Sequence, residues 1–96
     1  MFLRFEYDER KSRANERKHD VSFQEAESVF YDPNARLKHD PDHSSEEDRF
    51  VLLGLSSKPR MIVVCHCYRE DEEVIRIISA RKATKEEEMQ YQELNR

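Results

Sequence analysis

The segment Val74-Ile75-Arg76-Ile77-Ile78-Ser79-Ala80-Arg81-Lys82-Ala83-Thr84 decides the fold, because a run of branched apolar residues passes directly into a helix start. Such residues fit a pleated, half-buried surface, so the run from Val74 to Ile78 is predicted to be a strand. Thr84 is followed three residues later by Glu87, which is the spacing of a capping box. The chain is therefore expected to leave the sheet and begin a helix at this point.

The arginine in the middle of this strand needs a compensating anion. A guanidinium group keeps its charge, and burying it without a partner is costly in free energy. We therefore expect Arg76 either to pair with a carboxylate or to face a solvated cleft that accepts an anion.

Hydrophobic patterning outside this segment predicts the remaining elements. Four further strands are predicted over residues 2–7, 36–40, 50–55 and 61–68, the second of them a short polar edge strand. Two helices are predicted in the N-terminal part, over residues 9–18 and from Ser22 to the stop at Asp32-Pro33, and one over residues 85–95. The first helix has almost no apolar stripe, so we expect it to lie on the surface.

Particular residues support these helices. Ser22 with Glu25 predicts a second capping box. The second helix is expected to face the core through Phe23, Ala26, Val29 and Phe30. The last helix is expected to make its few apolar contacts through Met89, Tyr91 and Leu94.

The order of these elements predicts the fold class. Short turns between successive strands force antiparallel neighbours. We therefore predict a single α+β domain over residues 1–96, with one mostly antiparallel sheet, two N-terminal helices and one C-terminal helix in the order β-α-α-β-β-β-β-α.

Composition and charge limit the classes of function. The net charge is −4, so the whole molecule is not a basic nucleic-acid binder. Between residues 49 and 82, however, 7 basic residues stand against 4 acidic ones that share one turn, so a local positive face is expected. The N-terminus does not resemble a signal peptide and no segment could span a membrane, so a reduced cytoplasmic protein is expected.

Two clusters of reactive residue types give only weak evidence for a functional site. Cys65 and Cys67 share one face of a strand and His66 points to the other, so three metal ligands do not converge and no metal or other cofactor is expected. Lys18-His19 ends a helix, where cations are favoured by the helix dipole, and this structural role is the favoured interpretation, with phosphate contact and a titratable imidazole as the alternative.

The arginines carry the strongest functional signal. Arg49, Arg60, Arg76 and Arg81 lie within or beside apolar strands, where solvated charge is less expected. Each one could be a structural ion pair. Four of them on one sheet instead suggest a surface that binds an anion, and RNA is the plausible large anion.

The segment Arg76–Ala83 resembles the signature of the BrnT family, the toxin half of a bacterial type II toxin–antitoxin pair. Further similarities follow in the family's order at Phe5–Asp8, Asn15, Lys18-His19, Val21–Ala26, Val29–Pro33, His43-Ser44, Glu46-Glu47, Arg49, Leu53–Ser56, Arg60 and His66. The chain departs from the family at Tyr7, Asp20, Pro59 and Cys67. At Asp20, where glycine is usual, we expect a left-handed backbone, which aspartate tolerates better than most residues.

The resemblance implies a RelE-like ribonuclease fold that cuts RNA and halts translation. It also implies a partner, an antitoxin of the BrnA type that binds DNA through a ribbon-helix-helix domain. The complex would repress its own operon, so operator DNA is expected to be contacted only through the antitoxin complex.

We assign candidate roles on this basis. Metal-independent cleavage by the substrate's 2′-hydroxyl needs a base, an acid and cations that stabilise the charge on the phosphoryl oxygens. The candidates for charge stabilisation are Arg60, Arg76 and Arg81, and those for acid–base chemistry are His19 and Glu47. The candidates for holding RNA are Lys18, Arg49, Lys82 and Tyr91, although Tyr91 could equally pack its helix.

A second class of function stays open. The same arginines could grip acidic residues of a protein partner in a binding module without catalysis, because no catalytic constellation is self-evident in the sequence.

Overall fold

The computed structural model describes residues 3–95, so Phe2, which the sequence places in the first strand, lies outside the described residues. The elements, in chain order, are β1 (Arg4–Glu6), α1 (Glu9–His19), α2 (Phe23–Val29), β2 (Arg36–Asp40), a 3₁₀ turn (Pro41–His43), β3 (Arg49–Leu55), β4 (Met61–Arg69), β5 (Val74–Lys82) and α3 (Lys85–Leu94). None of the helices within residues 3–95 is long and apolar enough to cross a membrane.

The strands form one sheet in the order β1-β5-β4-β3-β2. Strand β1 runs parallel to β5, and the other three pairings are antiparallel. The predicted α+β class with a mostly antiparallel sheet is therefore confirmed. Strand β2 lies at the edge, as predicted, whereas β5 continues to Lys82, four residues past its predicted end.

Helices α1 and α2 cover one face of the sheet. The core stripe predicted for α2 is confirmed, because Phe23, Ala26 and Val29 are fully buried, and they pack with the buried side chains of Ile62, Val64 and Ile77, among others. Helix α1 lies on the surface, as predicted, and the two residues that it buries are polar: Ser12 faces α2 and Asn15 faces β5. The opposite face of the sheet, here called the open face, carries the candidate site.

Helix ends follow the predictions with two exceptions: α2 ends at Val29, before the predicted stop at Asp32-Pro33, and its capping box is incomplete. The Thr84–Glu87 capping box is present in full, and Asp20 ends α1 in the left-handed conformation at φ 59°. Ser22 accepts a hydrogen bond from the backbone N–H of Glu25, but the second capping box is incomplete because the Glu25 carboxylate contacts Ser56 and Arg60 instead.

The apolar contacts predicted for α3 are wrong at two positions. Met89 is 63% exposed and Leu94 59% exposed. Helix α3 is held by polar contacts, among them the bond from the Tyr91 hydroxyl to Asp32 at 2.8 Å. Too few apolar residues lie on one side of α3 to bury a stripe.

Candidate functional site

Strand register places a row of polar residues across the open face. Arg76 on β5 pairs with Glu6 on β1 and with Cys67 on β4, and Cys67 in turn pairs with Arg49 on β3. Asp40 on β2 lies beside Arg49 and completes the row. Because directly paired residues project from the same face of a sheet, these charges lie on one surface.

A β-bulge brings Arg81 onto the same surface. Cys65 pairs with Ser79 whereas His66 pairs with Ile77, so Ile78 is an extra residue in β5. The bulge reverses the alternation beyond it, which turns Ala80 to the core and Arg81 to the open face with Val63. Without the bulge, Arg76 and Arg81 would point to opposite faces.

A cavity of about 300 Å³ lies beside this row. Its apolar walls are Val51, Val63 and Ile78, and the half-buried Cys65 adds a thiol whose pKa is raised by burial. Its basic residues are His19, His43, Arg49 and Arg81. Three of the predicted site residues, His19, Arg49 and Arg81, therefore come together although they lie on three different elements.

His19 reaches the cavity because α1 ends there. The next residue, Asp20, is held by three cationic contacts: its carboxylate lies 3.1 Å from Arg60 Nη1 and 3.2 Å from Lys82 Nζ, and its carbonyl accepts from Arg60 Nη2 at 2.7 Å. Hydrogen bonds from Lys82 and then Arg60 lower the pKa of Asp20. The end of α1 is thereby fixed to the residue that precedes β4 and to the end of β5.

His43 is a site residue that the candidate roles did not include. Its Nδ1 lies 2.9 Å from a carboxylate oxygen of Asp40, three residues earlier, across the 3₁₀ turn. Ser44 fixes this turn, since its hydroxyl donates to the Asp40 carbonyl at 2.6 Å and accepts from the Arg49 N–H at 2.9 Å. The available signal was the spacing of Asp40, His43 and Ser44 in the sequence, where His43-Ser44 is also part of the resemblance.

Arg49 has an unused donor. Among residues 3–95, its Nε is the one buried side-chain nitrogen or oxygen without a hydrogen-bond partner. No carboxylate within the described chain forms an ion pair with its guanidinium. A buried, charged donor without a partner is costly, so this position favours an anion from outside the protein.

Arg81 is anchored by the start of α3. Its Nη1 and Nη2 donate to the two carboxylate oxygens of Glu87 at 2.8 and 3.0 Å, while Glu87 also accepts from the N–H of Thr84. The hydrogen bonds from Arg81 make the larger contribution and the N–H of Thr84 a smaller one, and together they lower the pKa of Glu87 to about 2. The two-point contact holds the guanidinium plane at the rim of the cavity.

Two predicted catalytic arginines do not line the cavity. The guanidinium of Arg60 donates hydrogen bonds to the buried Glu25, with 3.0 Å between Nε and a carboxylate oxygen, and to the carboxylate of Asp20. Arg76 donates to Glu6, which resolves its predicted alternatives in favour of a carboxylate partner. Both side chains are therefore engaged in ion pairs within the protein.

The remaining candidates surround the site. Glu47 lines a second cavity, of about 230 Å³, that shares His43 and Arg49 with the first, and it lies 3.8 Å from Arg69. Lys18 is exposed on the last turn of α1, and Lys82 is paired with Asp20. Tyr91 is not among the residues that line either cavity.

Cys65, His66 and Cys67 alternate as predicted. Cys65 lines the cavity, whereas His66 is buried in the core between the rings of Phe30 and Phe50. Within residues 3–95, no three His, Cys, Asp or Glu side chains form a group that could hold a metal ion.

Comparisons with known proteins agree with this architecture. The family model described as the ribonuclease toxin BrnT of type II toxin–antitoxin systems matches residues 7–87. The crystal structure of the Brucella abortus ribonuclease toxin BrnT superposes with a TM-score of 0.65 at 22% sequence identity, covering 88% of this chain and 100% of that one. A search of curated proteins finds no match.

Proposed function

The chain belongs to the BrnT family of ribonuclease toxins of type II toxin–antitoxin systems, and from this premise we propose that it cleaves RNA without a metal ion at the cavity of the open face. The cleaving group is the substrate's own 2′-hydroxyl. In the cell, this cleavage of RNA halts translation.

The buried Nε of Arg49, which has no hydrogen-bond partner among residues 3–95, is the observation that carries the proposal. It lies in a cavity that also contains Arg81 and two imidazoles, His19 and His43. Planar guanidinium groups match the oxygens of a phosphate diester, and imidazoles exchange protons near neutral pH. The cavity therefore combines the groups that metal-independent cleavage of RNA requires.

Each group has a proposed role. Asp40 accepts the Nδ1 proton of His43, which orients the ring and leaves Nε2 to take the proton of the 2′-hydroxyl. The 2′-oxygen then attacks phosphorus, and the bond from phosphorus to the 5′-oxygen breaks. His19 donates a proton to that leaving oxygen, giving a 2′,3′-cyclic phosphate and a 5′-hydroxyl. Arg49 and Arg81 stabilise the charge on the phosphoryl oxygens.

Neighbouring candidates act outside the cleavage centre. Glu47 is a second possible proton acceptor through the cavity it shares with His43. Lys18 and Lys82 lie near the end of α1, where they attract the flanking phosphates. We assign Arg60 and Arg76 to supporting ion pairs and Tyr91 to the attachment of α3.

The experiment is RNA cleavage in EDTA by the parent and by an Arg49→Ala, Arg81→Ala double variant. Loss of both cations is expected to lower the cleavage rate by a factor of about 100 or more. The matched control is Arg4→Ala, which removes an exposed arginine whose ion pair within residues 3–95 is with Glu70 and should change the rate less than about twofold. A folded double variant that cleaves at the parent rate would contradict the assignment.

The same experiment distinguishes a binding module. In that case, RNA stays intact with the parent protein while the arginine variants lose affinity for an acidic protein partner. The convergence of two imidazoles with the arginines favours the enzyme, because a surface that only grips carboxylates has no use for proton transfer.

A toxin of this family implies a neutralising partner, which we propose to be a BrnA-type antitoxin with a ribbon-helix-helix domain. In the toxin–antitoxin complex, the antitoxin would make the contacts with operator DNA. We propose that an acidic segment of the antitoxin covers the open face around Arg49 and Arg81 and so neutralises the charges that hold RNA. The exposed edge of β2 offers a second route, by addition of a strand.

A further inference from the structure

A buried amide joins the two elements that carry His19 and Arg81. Asn15 lies one turn before His19 on α1 and is 8% exposed. Its Nδ2 donates to the carbonyls of Val21 and Ala80, both at 2.8 Å, and its Oδ1 accepts from the Ala80 N–H at 3.1 Å. Both amide protons and the carbonyl are thus bonded to backbone groups inside the protein.

On β5, the Asn15 amide bonds to backbone groups on a part of the edge with which no strand of residues 3–95 pairs. Strand β1 pairs with β5 only at residues 74–76, so it does not reach Ala80. Both backbone groups of Ala80 bond to Asn15 and therefore point away from β4. The amide completes the hydrogen bonding of β5 two residues after the bulge at Ile78, where the alternation of side chains has been reversed.

At its other end, the amide holds the turn that follows His19. The bond to the Val21 carbonyl closes the segment from the end of α1 to the start of α2. One side chain is therefore bonded to the residue before Arg81 and to a residue two positions after His19.

We propose that Asn15 is a positioning residue of the ribonuclease site, setting the placement of His19 relative to Arg81. This inference rests on the function proposed above. It assigns no contact with RNA to Asn15. Because a misplacement of reacting groups by about 1 Å can cost about 100-fold in rate, a linker between the proton donor and the phosphate-binding arginine affects the chemical step more than binding.

A matched control separates positioning from a general structural role. Ser12 is also buried on α1, and its hydroxyl accepts from the Phe23 N–H at 3.1 Å. It ties α1 to α2, and its hydroxyl makes no hydrogen bond to β5 among the described residues. Ser12→Ala therefore removes a buried hydrogen bond from the same helix without releasing Ala80.

The experiment compares the parent, Asn15→Ala and Ser12→Ala in EDTA on a short single-stranded RNA, together with the hydrogen exchange of the Ala80 amide. Asn15→Ala is expected to lower kcat about 10- to 100-fold, to change KM less than about threefold, and to accelerate exchange at Ala80. Ser12→Ala is expected to keep kcat within about twofold of the parent when both proteins are folded.

Two outcomes would overturn the inference. Equal kcat values for folded Asn15→Ala and Ser12→Ala would make Asn15 merely structural. If Asn15→Ala does not fold, Asn15→Ser is measured instead. A kcat equal to that of the parent, together with faster exchange of the Ala80 amide, would likewise show that Asn15 is merely structural. A parent protein that leaves RNA intact would instead refute the proposed function itself, so the two failures are distinct.

Discussion

At the scale of the residue, His66 is an imidazole without access to water. It is fully buried, its ring centroid lies 4.8 Å from that of Phe30, and its Nε2 lies 3.2 Å from the Tyr68 hydroxyl. Burial disfavours the charged form and lowers the pKa of His66 to about 4. The folded protein therefore holds this histidine neutral at a pH at which the unfolded chain would protonate it.

Stability is predicted to fall on mild acidification because of this residue. The pKa of His66 is about 4 in the folded state against 6.5 for the free group, so its contribution is complete above pH 6.5 and is lost as the pH falls towards 4. The free energy of unfolding should drop by about 2 kcal/mol between about pH 7.5 and pH 5. Urea unfolding at the two pH values measures this difference.

The control for this prediction is His66→Gln, which keeps a polar side chain but does not titrate. Its stability should vary much less across the same interval, whatever its absolute value. An equal fall in both proteins would show that another group is responsible.

The arginines show how far single residues can be interpreted from sequence. An internal strand arginine predicts an anion, but its identity depends on residues far away in the chain. Arg76 finds Glu6, 70 positions earlier, and Arg60 finds Glu25, 35 positions earlier. Of the four arginines within or beside the apolar strands, Arg49 alone has no carboxylate partner among residues 3–95, and nothing in its local sequence distinguishes it, since Glu47 and Asp48 are close neighbours.

At the scale of the element, Gly54 allows α2 and the following loop to lie close to β3. A Cβ atom at this position would stand 2.9 Å from both Ala35 Cβ and Val29 Cγ1 and 3.1 Å from an Asp32 carboxylate oxygen. Asp32 is one of the groups that fix this region, because it accepts from the Leu55 N–H and from the Tyr91 hydroxyl, both at 2.8 Å.

Gly54→Ala is therefore predicted to destabilise the fold by about 1–3 kcal/mol through overpacking. Denaturant unfolding measures the loss. The same substitution made in an Ala35→Gly background should cost less, since one of the two closest contacts has been removed. A neutral Gly54→Ala, or simple additivity of the two changes, would show that the contacts with Ala35 and Val29 do not restrict this position.

Local sequence predicts most elements but not the feature that assembles the site. The branched runs and the Thr84 cap locate β5 and α3, because propensity and capping act over a few residues. The bulge at Ile78 depends on pairing with β4, so strict alternation would place Arg81 on the wrong face. The exposure of Met89 and Leu94 likewise reflects where α3 packs, which its own sequence does not fix.

At the scale of the whole molecule, a protein with a net charge of −4 places Arg49 and Arg81 in one cavity of the open face. Cover of this surface by an acidic antitoxin segment predicts association that is fastest at low ionic strength, because steering between unlike charges is screened by salt. Arg49→Ala and Arg81→Ala should each slow association at low salt, while Arg4→Ala should not. Stopped-flow rates across ionic strength measure this. Salt-independent rates, equal in all variants, would mean that the antitoxin binds elsewhere.

Attack by the 2′-hydroxyl makes cleavage depend on the ribose at the cleaved position. The parent protein is incubated in EDTA with a short RNA and with the same oligonucleotide carrying 2′-deoxyribose at the cleaved position. We predict cleavage of the RNA to a 2′,3′-cyclic phosphate and a 5′-hydroxyl, and no cleavage at the substituted position, because the nucleophile is missing. Equal cleavage of both strands would rule out attack by the 2′-hydroxyl, and cleavage of RNA only after a divalent metal ion is added would rule out a metal-independent reaction.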